Sequence, residues 1–406
     1  KKAHFYEPGL DNRLSRMIDC DRFLYSKDIP NNFNASVYVI TVGTPLSQEK
    51  RSRFDIVENA TKQVSEYLKN GDLIIMRSTV KLGVTRKIVI PILNNVGCHY
   101  DIAFAPERTL EGNALEELRS LPQIIGGDTY KASIRASQLF QFLTPTVVRV
   151  SDIETAEMIK LVDNAQRDVM FAYSNEIASA CDVIGISAAE VIRAGKLGYP
   201  RTNLPLPGPV GGPCLEKDSY ILAEGLTEKG YKAKITLAAR ECNESQPKYI
   251  AKYLKKLIVN NNFKQNNLII SLLGIAFKGK PITDDLRGTM ARPILNELRN
   301  IFHQSTFRGF DPVVEDKDLI DFGLEPSKNL EDSFKDANIV LILNNHHLFS
   351  SMPLSNLSDL MCKNGIIYDC WNMHDGKNLS LPKTINYIAL GSHRKSVTSG
   401  YNDQIK

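Results

Sequence analysis

The sequence predicts an α/β protein in which two doubly wound, Rossmann-like domains are joined by a long central helix and a helical middle domain. Three observations predict this arrangement: short apolar runs alternate with helical stretches near the start, a long segment of helical period without Gly or Pro follows, and the alternation then returns. The 406 residues are also too many for one ordinary hydrophobic core. We therefore expect two or three domains.

The N-terminal domain, predicted over residues 1–150, contains apolar runs that each end in Gly, Pro, Ser or Thr. The runs start at Val37, Asp72 and Tyr100. Such runs indicate parallel strands, whose carboxyl ends are where ligands collect. No Gly-x-Gly-x-x-Gly turn precedes the first run, so we expect this domain to lack its first βαβ elements, roughly thirty residues or more. We expect a disordered or truncated terminus rather than an inactive protein.

A helical central domain is predicted over residues 151–246. From Ser151 to about Cys181 the apolar residues keep helical spacing, and neither Gly nor Pro occurs. Ser151 and Glu154 form a predicted capping box at the start of this helix. Further helical sequence continues to about Arg240.

The second Rossmann-like domain is predicted over residues 247–406, because alternation returns after the Gln246-Pro247 pair. Such alternation indicates a second doubly wound sheet. Its apolar runs begin at Asn267, Thr306, Asn338, Gly365 and Asn386.

The amino-acid composition limits which binding partners and which cellular compartment we expect for the protein. The formal net charge is +4, with Lys and Arg scattered among Asp and Glu, so we expect no nucleic acid partner. No apolar run approaches the roughly eighteen residues that cross a bilayer, so we expect no membrane association. The seven cysteines form no C-x-x-C pair, zinc spacing or even disulfide framework. This predicts no metal site and a protein of the reducing cytoplasm.

Cys214 is the strongest candidate for a catalytic residue. It ends the stretch Leu204-Pro-Leu-Pro-Gly-Pro-Val-Gly-Gly-Pro-Cys, which cannot continue a helix and predicts a rigid loop that a ligand can approach closely. If a helix begins here, its N-terminus and Lys217 both lower the pKa of the thiol, which predicts a polarised thiolate. A structural cysteine buried beside a turn is the alternative.

Two pairs of side chains are further candidates. Glu107 and Glu111 follow a predicted strand end, where one could act as a base; solvated surface carboxylates are the alternative. Lys160 and Asn164 are four residues apart and so share one face of the long helix. There the lysine could hold an oxyanion or a water, and a lysine that extends into solvent is the alternative.

Basic residues cluster after the first predicted strand of the second domain. A cluster of positive charge is expected at the carboxyl end of that strand, formed by Lys278, Lys280 and Arg287. Such a cluster suits a diphosphate. An ordinary basic surface loop is the alternative.

Seven segments, taken in order, resemble the UDP-glucose and UDP-N-acetylhexosamine 6-dehydrogenase family. The resemblance extends from residue 7 to about residue 390. The segments are Glu-Pro-Gly-Leu (7–10), Val-Gly-Thr-Pro (42–45), Ser-Thr-Val (78–80), Ala-Pro-Glu-Arg to Glu-Gly (105–112), Lys160 with Asn164, Gly-Gly-Pro-Cys-Leu-Glu-Lys-Asp (211–218), and Ala-Phe-Lys to Asp-Asp-Leu-Arg (276–287).

The resemblance implies a four-electron oxidation of a UDP-sugar at C6 that uses two NAD⁺. Cys214 would attack the aldehyde-level intermediate to form a thiohemiacetal and then a thioester, which water hydrolyses. Lys160 and Asp218, assisted by Asn164, would position water and stabilise the oxyanion. Glu111 would act as general base.

The resemblance also assigns binding residues and an assembly. Family members are dimers or larger oligomers built around the long helix, so a homodimer or higher homo-oligomer is expected, with Arg201 reaching the partner's substrate. For NAD the assigned residues are Thr44, Thr79, Lys217 and Arg287, and Thr79 also lies near the reacting centre. For the UDP-sugar they are Glu107, Arg108, Thr109, Leu110, Glu111, Lys160, Asn164, Arg201, Gly208, Gly211, Gly212 and Lys278.

Departures from the family pattern indicate which sugar the substrate carries. Pro213 stands where the family often has His or Ser, and Asp369-Cys-Trp-Asn replaces the Asp-x-Arg of the UDP-glucose enzymes. Trp371 and the proline-rich segment that leads to Cys214 favour a UDP-N-acetylhexosamine, either UDP-ManNAc or UDP-GlcNAc. UDP-glucose is the first alternative, and a two-electron β-hydroxyacid dehydrogenase or a non-catalytic sugar-nucleotide binder are the others.

Overall fold

The computed structural model describes residues 3, 5–30, 34–260, 267–374 and 379–393. The chain forms two compact units. The first comprises Lys1–Arg167 with Cys214–Leu237, and the second comprises Asp168–Pro213 with Ala238–Lys406.

The first unit is built on a five-stranded sheet with the order β1-β2-β3-β4-β5. All neighbouring strands are parallel except β3 and β4, which are antiparallel. The three predicted strands are confirmed, whereas β4 and β5 were not predicted. The strands are β1 (Val37–Ile40), β2 (Asp72–Met76), β3 (Tyr100–Phe104), β4 (Gln123–Gly127) and β5 (Val147–Val150).

Helices of the first unit connect and cover these strands. β2 is buried along its whole length, since apolar side chains pack on both of its faces. The helices are α1 (Leu10–Asp19), α2 (Asp55–Ser65), a π-helical turn (Thr85–Val89), α3 (Ile90–Asn94), α4 (Ala114–Ser120) and α5 (Tyr130–Phe140).

The long predicted helix is α6 (Ile153–Ile184). The predicted capping box is wrong, because the Asp152 carboxylate, and not Ser151, accepts the Thr155 backbone N–H at 2.7 Å. Glu154 instead pairs with Arg86 at 2.6 Å. Asp152 is one residue closer to the first helical turn, and an ionised cap is favoured at the positive end of the helix.

Three more helices follow: α7 (Ala188–Lys196), α8 (Leu215–Thr227) and α9 (Lys234–Asn260). Pro247 does not end the helical sequence, since it lies inside α9. An interior proline costs about 3 kcal/mol. Here the apolar face that follows, formed by Ile250, Leu254 and Ile258, is fully buried in the core of the second unit and outweighs that cost.

The second unit contains a six-stranded parallel sheet with the order β11-β10-β9-β6-β7-β8. The chain begins at the centre, proceeds to one edge and then crosses to the other side, which is the doubly wound order that was predicted. The short β8 was not predicted. The strands are β6 (Ile269–Leu273), β7 (Thr306–Phe310), β8 (Glu325–Pro326), β9 (Ile339–Ile342), β10 (Ile366–Asp369) and β11 (Asn386–Ala389).

Five helices accompany this sheet. They are α10 (Ala291–Ile301), α11 (Asp316–Asp321), α12 (Leu330–Phe334), α13 (His347–Ser351) and α14 (Leu354–Ser358). Within the described ranges, no helix combines the length and the apolar character that crossing a membrane requires. The same residues hold no group of three or more His, Cys, Asp or Glu side chains that could bind a metal ion.

Candidate active site

Cys214 is the N-cap residue of α8. The prolines and glycines before it prevent a helix, and the helix begins as soon as they end. The Cys214 carbonyl accepts the backbone N–H groups of Lys217 at 3.1 Å and Asp218 at 2.9 Å. Its side chain is exposed, so a ligand can reach the sulfur.

The pKa of Cys214 is raised, and the predicted lowering is wrong. Although solvent reaches the side chain, the protein packed around the sulfur removes much of its hydration, and the Asp218 carboxylate adds to this effect. The cations Lys160, Lys217 and Arg167 lower the pKa but do not compensate. The resting group at neutral pH is therefore the thiol and not the thiolate.

Asp218 is the charged centre of the site in the first unit. It is fully buried, and it lies one helical turn after Cys214 on α8. One carboxylate oxygen accepts the Asn164 amide at 2.5 Å, and the other accepts the Lys217 ammonium at 3.0 Å. A buried carboxylate requires such partners, so the three side chains form one fixed unit.

Lys160 and Arg167 extend this cluster along α6. Lys160 precedes Asn164 by four residues, and Arg167 follows it by three, so all three lie on one face of the helix. The charges of both cations act on the Cys214 thiol. Arg167 was missed by the sequence analysis, although its i+7 spacing from Lys160 was a usable signal.

Three of the predicted NAD residues lie together in the first unit. Thr44 follows β1 and Thr79 follows β2, and the buried Thr44 hydroxyl donates to the Thr79 carbonyl at 2.6 Å. The Lys217 ammonium is 3.4 Å from the Thr44 hydroxyl. Hydroxyl and ammonium groups at the carboxyl ends of adjacent parallel strands suit a phosphorylated dinucleotide. The Lys217 ammonium and the Thr44 oxygen, whose proton is donated to the Thr79 carbonyl, are polar groups that fit NAD.

Glu107 is held in place by Arg77. The buried guanidinium, just past β2, pairs with the Glu107 carboxylate at 2.5 Å, and the Thr109 backbone N–H donates to the same side chain at 2.9 Å. Burial raises the pKa of Glu107, but the charge of Arg77 and these hydrogen bonds outweigh it and hold the pKa below the ordinary value. Glu107 is therefore a weak base, because its lowered pKa disfavours taking up a proton and both of its oxygens already accept hydrogen bonds. Arg77 was missed, although a charge ending an apolar strand was a signal.

The rest of the loop after β3 is anchored at both ends. Arg108 pairs with Asp163 of α6 at 3.4 Å, and the Leu110 N–H donates to Glu117 at 2.6 Å. Glu111 is partly buried on the same loop. Its neighbours are fixed, so it is the better candidate for the base.

Glu7 closes this loop from the N-terminal segment. Its buried carboxylate accepts the backbone N–H groups of Gly112 at 2.7 Å and Ala114 at 2.8 Å. Gly112 has a φ of 88°, which disfavours any residue with a Cβ. The contact gives the Glu-Pro-Gly-Leu segment a structural role next to Glu111.

The glycine loop that precedes Cys214 belongs to the second unit. Gly212 has a φ of 96° and donates its N–H to the Gly288 carbonyl at 2.7 Å. A Cβ on Gly211 would overlap the same carbonyl, and one on Gly212 would overlap the ring of Phe277. Phe277 precedes Lys278, so the predicted sugar-nucleotide residues Gly211, Gly212 and Lys278 lie close together.

Two predicted cationic residues of the second unit have neighbours of their own. Arg287 is exposed, and its guanidinium pairs with Asp285 at 2.7 Å. Arg201 is also exposed, and its Nε donates to the Tyr199 hydroxyl at 3.0 Å. Neither contact involves another residue predicted to bind a ligand.

The raised pKa leads to a measurable expectation. We expect alkylation of Cys214 by iodoacetamide to be slow at pH 7 and to accelerate through a midpoint above the ordinary thiol value, because the thiolate is the reacting form. Lys160→Met should raise the midpoint further, since a cation near the sulfur is removed. Mass spectrometry of the Cys214 peptide, alkylated over a range of pH, measures this midpoint. Lys62→Met, which changes an exposed lysine of α2, is the control. A midpoint below the ordinary value would contradict the expectation.

Comparison with known proteins agrees with this geometry. Models of the UDP-glucose/GDP-mannose dehydrogenase family match as the NAD binding domain over residues 1–144, the central domain over 154–245 and the UDP binding domain over 271–376. UDP-N-acetyl-D-mannosamine dehydrogenase of Pyrococcus horikoshii is 31% identical over 401 residues, 97% of this chain and 90% of the relative. NDP-N-acetyl-D-galactosaminuronic acid dehydrogenase of Ralstonia solanacearum is 31% identical, covering 93% and 88%.

Solved structures give the same comparison. The UDP-D-ManNAc dehydrogenase of Pyrococcus horikoshii superposes with a TM-score of 0.86 at 29% identity, over 97% of this chain and 90% of that one. The UDP-N-acetyl-mannosamine dehydrogenase Cap5O of Staphylococcus aureus gives 0.78 at 29% identity, over 96% and 88%. These similarities confirm the predicted fold class.

Proposed function

Because the chain belongs to the UDP-glucose/GDP-mannose dehydrogenase family of NAD-dependent oxidoreductases, we propose that it oxidises C6 of a UDP-N-acetylhexosamine to the carboxylate. The single observation that carries the proposal is the accessible Cys214 thiol one helical turn from the buried Asp218, with Asn164 and Lys217 fixed on that carboxylate. A two-electron alcohol oxidation requires no nucleophile of this kind.

Thr44, Thr79 and Lys217 of the first unit would hold the nicotinamide half of NAD, and Arg287 keeps its assignment as an NAD-binding residue. NAD⁺, when bound, would supply the hydride acceptor, one molecule for each of the two hydrides that leave C6 in succession. The buried Thr44 hydroxyl, already oriented by the Thr79 carbonyl, presents its oxygen as an acceptor toward the ligand.

Cys214 retains the carbon between the two oxidations. Its sulfur adds to the aldehyde carbon while the thiol proton leaves, and the resulting thiohemiacetal is oxidised to a thioester. Water then attacks the thioester carbonyl, the carbon–sulfur bond breaks, and the uronate leaves with the thiol restored. The raised pKa of Cys214 makes deprotonation part of the capture step, and Glu111 is the base that we assign to it.

We assign the water and the negative charge that develops at C6 to three residues, Asp218, Asn164 and Lys160. Asp218 positions the hydrolytic water, and Asn164 holds that carboxylate at 2.5 Å. Lys160 stabilises the oxyanion of the thiohemiacetal and of the hydrolysis step. Its charge already acts on the sulfur in the resting protein, which supports this assignment.

The residues that we assign to the sugar nucleotide form two sets. In the first unit we assign the loop Glu107, Arg108, Thr109, Leu110 and Glu111, in which Glu107 contributes as an ionised and anchored carboxylate. In the second unit we assign Gly208, Gly211, Gly212 and Lys278, whose bare backbone and single cation suit a diphosphate. Arg201 is exposed, which suits its proposed contact with the substrate of a partner subunit.

The substrate that we propose first is UDP-ManNAc, and UDP-GlcNAc is the second choice. Two similar proteins carry the names of N-acetylmannosamine and N-acetylgalactosaminuronic acid dehydrogenases, which supports an N-acetylated hexosamine. Trp371 replaces the arginine of the UDP-glucose enzymes in the late Asp-x-Arg segment, which disfavours UDP-glucose.

An NADH-release assay tests the proposal. The purified protein is incubated with NAD⁺ and, separately, UDP-ManNAc, UDP-GlcNAc, UDP-GalNAc and UDP-glucose. We expect two NADH per sugar and the uronate as product, with UDP-ManNAc giving the highest kcat/KM. One NADH per substrate would indicate a two-electron dehydrogenase. UDP-sugar binding without NADH would indicate a non-catalytic binder, and preference for UDP-glucose would overturn the sugar assignment.

We further propose that the protein is a homo-oligomer located in the cytoplasm. We also propose three domains, over residues 1–150, 151–246 and 247–406. Large apolar side chains at the C-terminal ends of α6 and α7 are exposed, including Val183 at 72%, Ile184 at 67% and Leu197 at 84%. An apolar surface of this kind marks a protein contact. The seven free cysteines suit a reducing compartment. Light scattering of the purified protein measures the assembly size.

A further inference from the structure

We infer that Ser174 and Asn175, adjacent residues of α6, are positioning residues for the glycine loop that binds the sugar nucleotide. The inference rests on the proposed function, because the loop's ligand is part of that proposal. It adds two residues that lie far along the helix from Lys160 and Asn164 and touch none of the assigned groups except Gly208.

Asn175 holds both backbone groups of Gly208. Its Oδ1 accepts the Gly208 N–H at 2.9 Å, and its Nδ2 donates to the Gly208 carbonyl at 3.1 Å. Only an amide side chain offers a donor and an acceptor in this arrangement. The Ser174 hydroxyl donates to the carbonyl of Pro205, three residues before Gly208 in the loop, at 2.8 Å. Both side chains are fully buried.

The loop needs these partners because it has few of its own. Residues 202–211 form no helix or strand, and residues 207–210 are buried. Pro207 and Pro209 flank Gly208 and provide no N–H. A buried loop without ladder hydrogen bonds must obtain them from side chains, and Asn175 provides them at its centre.

Trp371 fixes Gly208 from the other side. A Cβ on Gly208 would lie 2.8 Å from two atoms of the indole ring, so only glycine fits there. The indole N–H donates to the Leu343 carbonyl at 2.8 Å, which keeps the ring in place. Gly208 is therefore held between the Asn175 amide and the face of the Trp371 ring.

A buried network orients the Asn175 amide. Asn243 of α9 accepts from the Asn175 Nδ2 at 2.9 Å and donates to the Asp168 carboxylate at 2.7 Å. Asp168 in turn pairs with Arg240 at 2.8 Å. Because Asp168 is an acceptor, the direction of each bond in the chain is set, and the amide of Asn175 has one orientation.

The consequence for binding follows from the covalent chain. Three residues separate Gly208 from Gly212, the end of the glycine pair, and Pro213 alone separates Gly212 from Cys214. Displacement of Gly208 therefore moves the backbone that meets the sugar nucleotide. A misplacement of about 1 Å costs about a hundredfold in reactions that depend on such positioning.

The test compares Asn175→Ala and Ser174→Ala with Tyr249→Phe. Tyr249 of α9 bonds Asp182 of α6 at 2.6 Å, so its variant loses a hydrogen bond between the same two helices without touching the loop. We expect Asn175→Ala to raise the KM for the UDP-sugar about tenfold or more, with the KM for NAD⁺ unchanged. Ser174→Ala should show a smaller rise of the same kind, and Tyr249→Phe should match the wild type.

The outcomes separate the two proposals. If the wild type forms no uronate with any sugar, the proposed function fails, and calorimetry of UDP binding to the same variants then decides the inference. If the wild type is active and Asn175→Ala keeps its sugar KM, or Tyr249→Phe shows an equal rise, the inference fails alone. If Asn175→Ala does not fold, Ser174→Ala tests the inference instead, because this variant loses only one hydroxyl group. An unchanged sugar KM in folded Ser174→Ala would then overturn the inference.

Discussion

Replacing Cys214 by serine should reduce uronate formation by about 10³-fold or more. A serine hydroxyl is far less acidic than a thiol, so the base that we assign to the capture step, Glu111, removes its proton much less readily. It therefore captures the aldehyde poorly. The side chain is exposed and differs by one atom, so the fold should not change.

The stoichiometry of NADH release measures this loss. The wild type should form two NADH per uronate, whereas the serine variant should release the aldehyde after one, and a carbonyl trap such as hydroxylamine should collect it. Cys98→Ser is the matched control, because Cys98 is a partly exposed free thiol of the same unit. Full turnover to uronate by the Cys214 variant would contradict covalent catalysis.

The raised pKa of Cys214 is compatible with this chemistry. A resting thiolate is a permanent charge beside the buried Asp218, and two anions at that place repel each other. A thiol that loses its proton during attack passes the charge to the aldehyde oxygen, where Lys160 is the assigned partner. The geometry thus favours a charge on the substrate over a charge on the enzyme, as transition-state stabilisation requires.

Apolar runs bounded by turn residues predicted most strands, and the exceptions have physical reasons. β4 reads Gln-Ile-Ile-Gly-Gly, with only two large apolar residues. Its glycines are required by close packing: a Cβ on Gly126 would overlap the Asp152 carbonyl, and one on Gly127 would overlap the backbone of Ser133. Such constraints depend on distant segments, so local pattern cannot reveal them.

The candidate site was predictable in its members but not in its electrostatics. Cys214 and Asp218 are one helical turn apart, and Lys160 and Asn164 share a face of α6, which spacing alone predicts. The sign of the Cys214 pKa shift was not predictable, because it is the sum of desolvation and several charges at distances that only the fold sets. The pairing of Arg77 with Glu107 was not predictable either, since the two residues are thirty positions apart in the sequence.

Asp218→Asn is the second change with a large expected effect. The variant can keep its hydrogen bonds, because the Asn164 amide can turn over and accept from the new amide while Lys217 still meets an oxygen. The fold should therefore survive, and only the charge is lost. Hydrolysis of the thioester should slow by about 10²-fold to 10³-fold, since the water loses its positioning carboxylate.

Rapid mixing with UDP-sugar and NAD⁺ should then show a burst of two NADH per subunit followed by slow turnover, and mass spectrometry should find the acyl group on Cys214. The iodoacetamide midpoint supplies an independent measurement. Asp218 raises the pKa of Cys214, so the variant should lower that midpoint, opposite to Lys160→Met. Glu216→Gln, an exposed carboxylate of the same helical turn, should change neither quantity. A burst-free variant with wild-type turnover would remove Asp218 from hydrolysis and leave it a structural partner of Lys217.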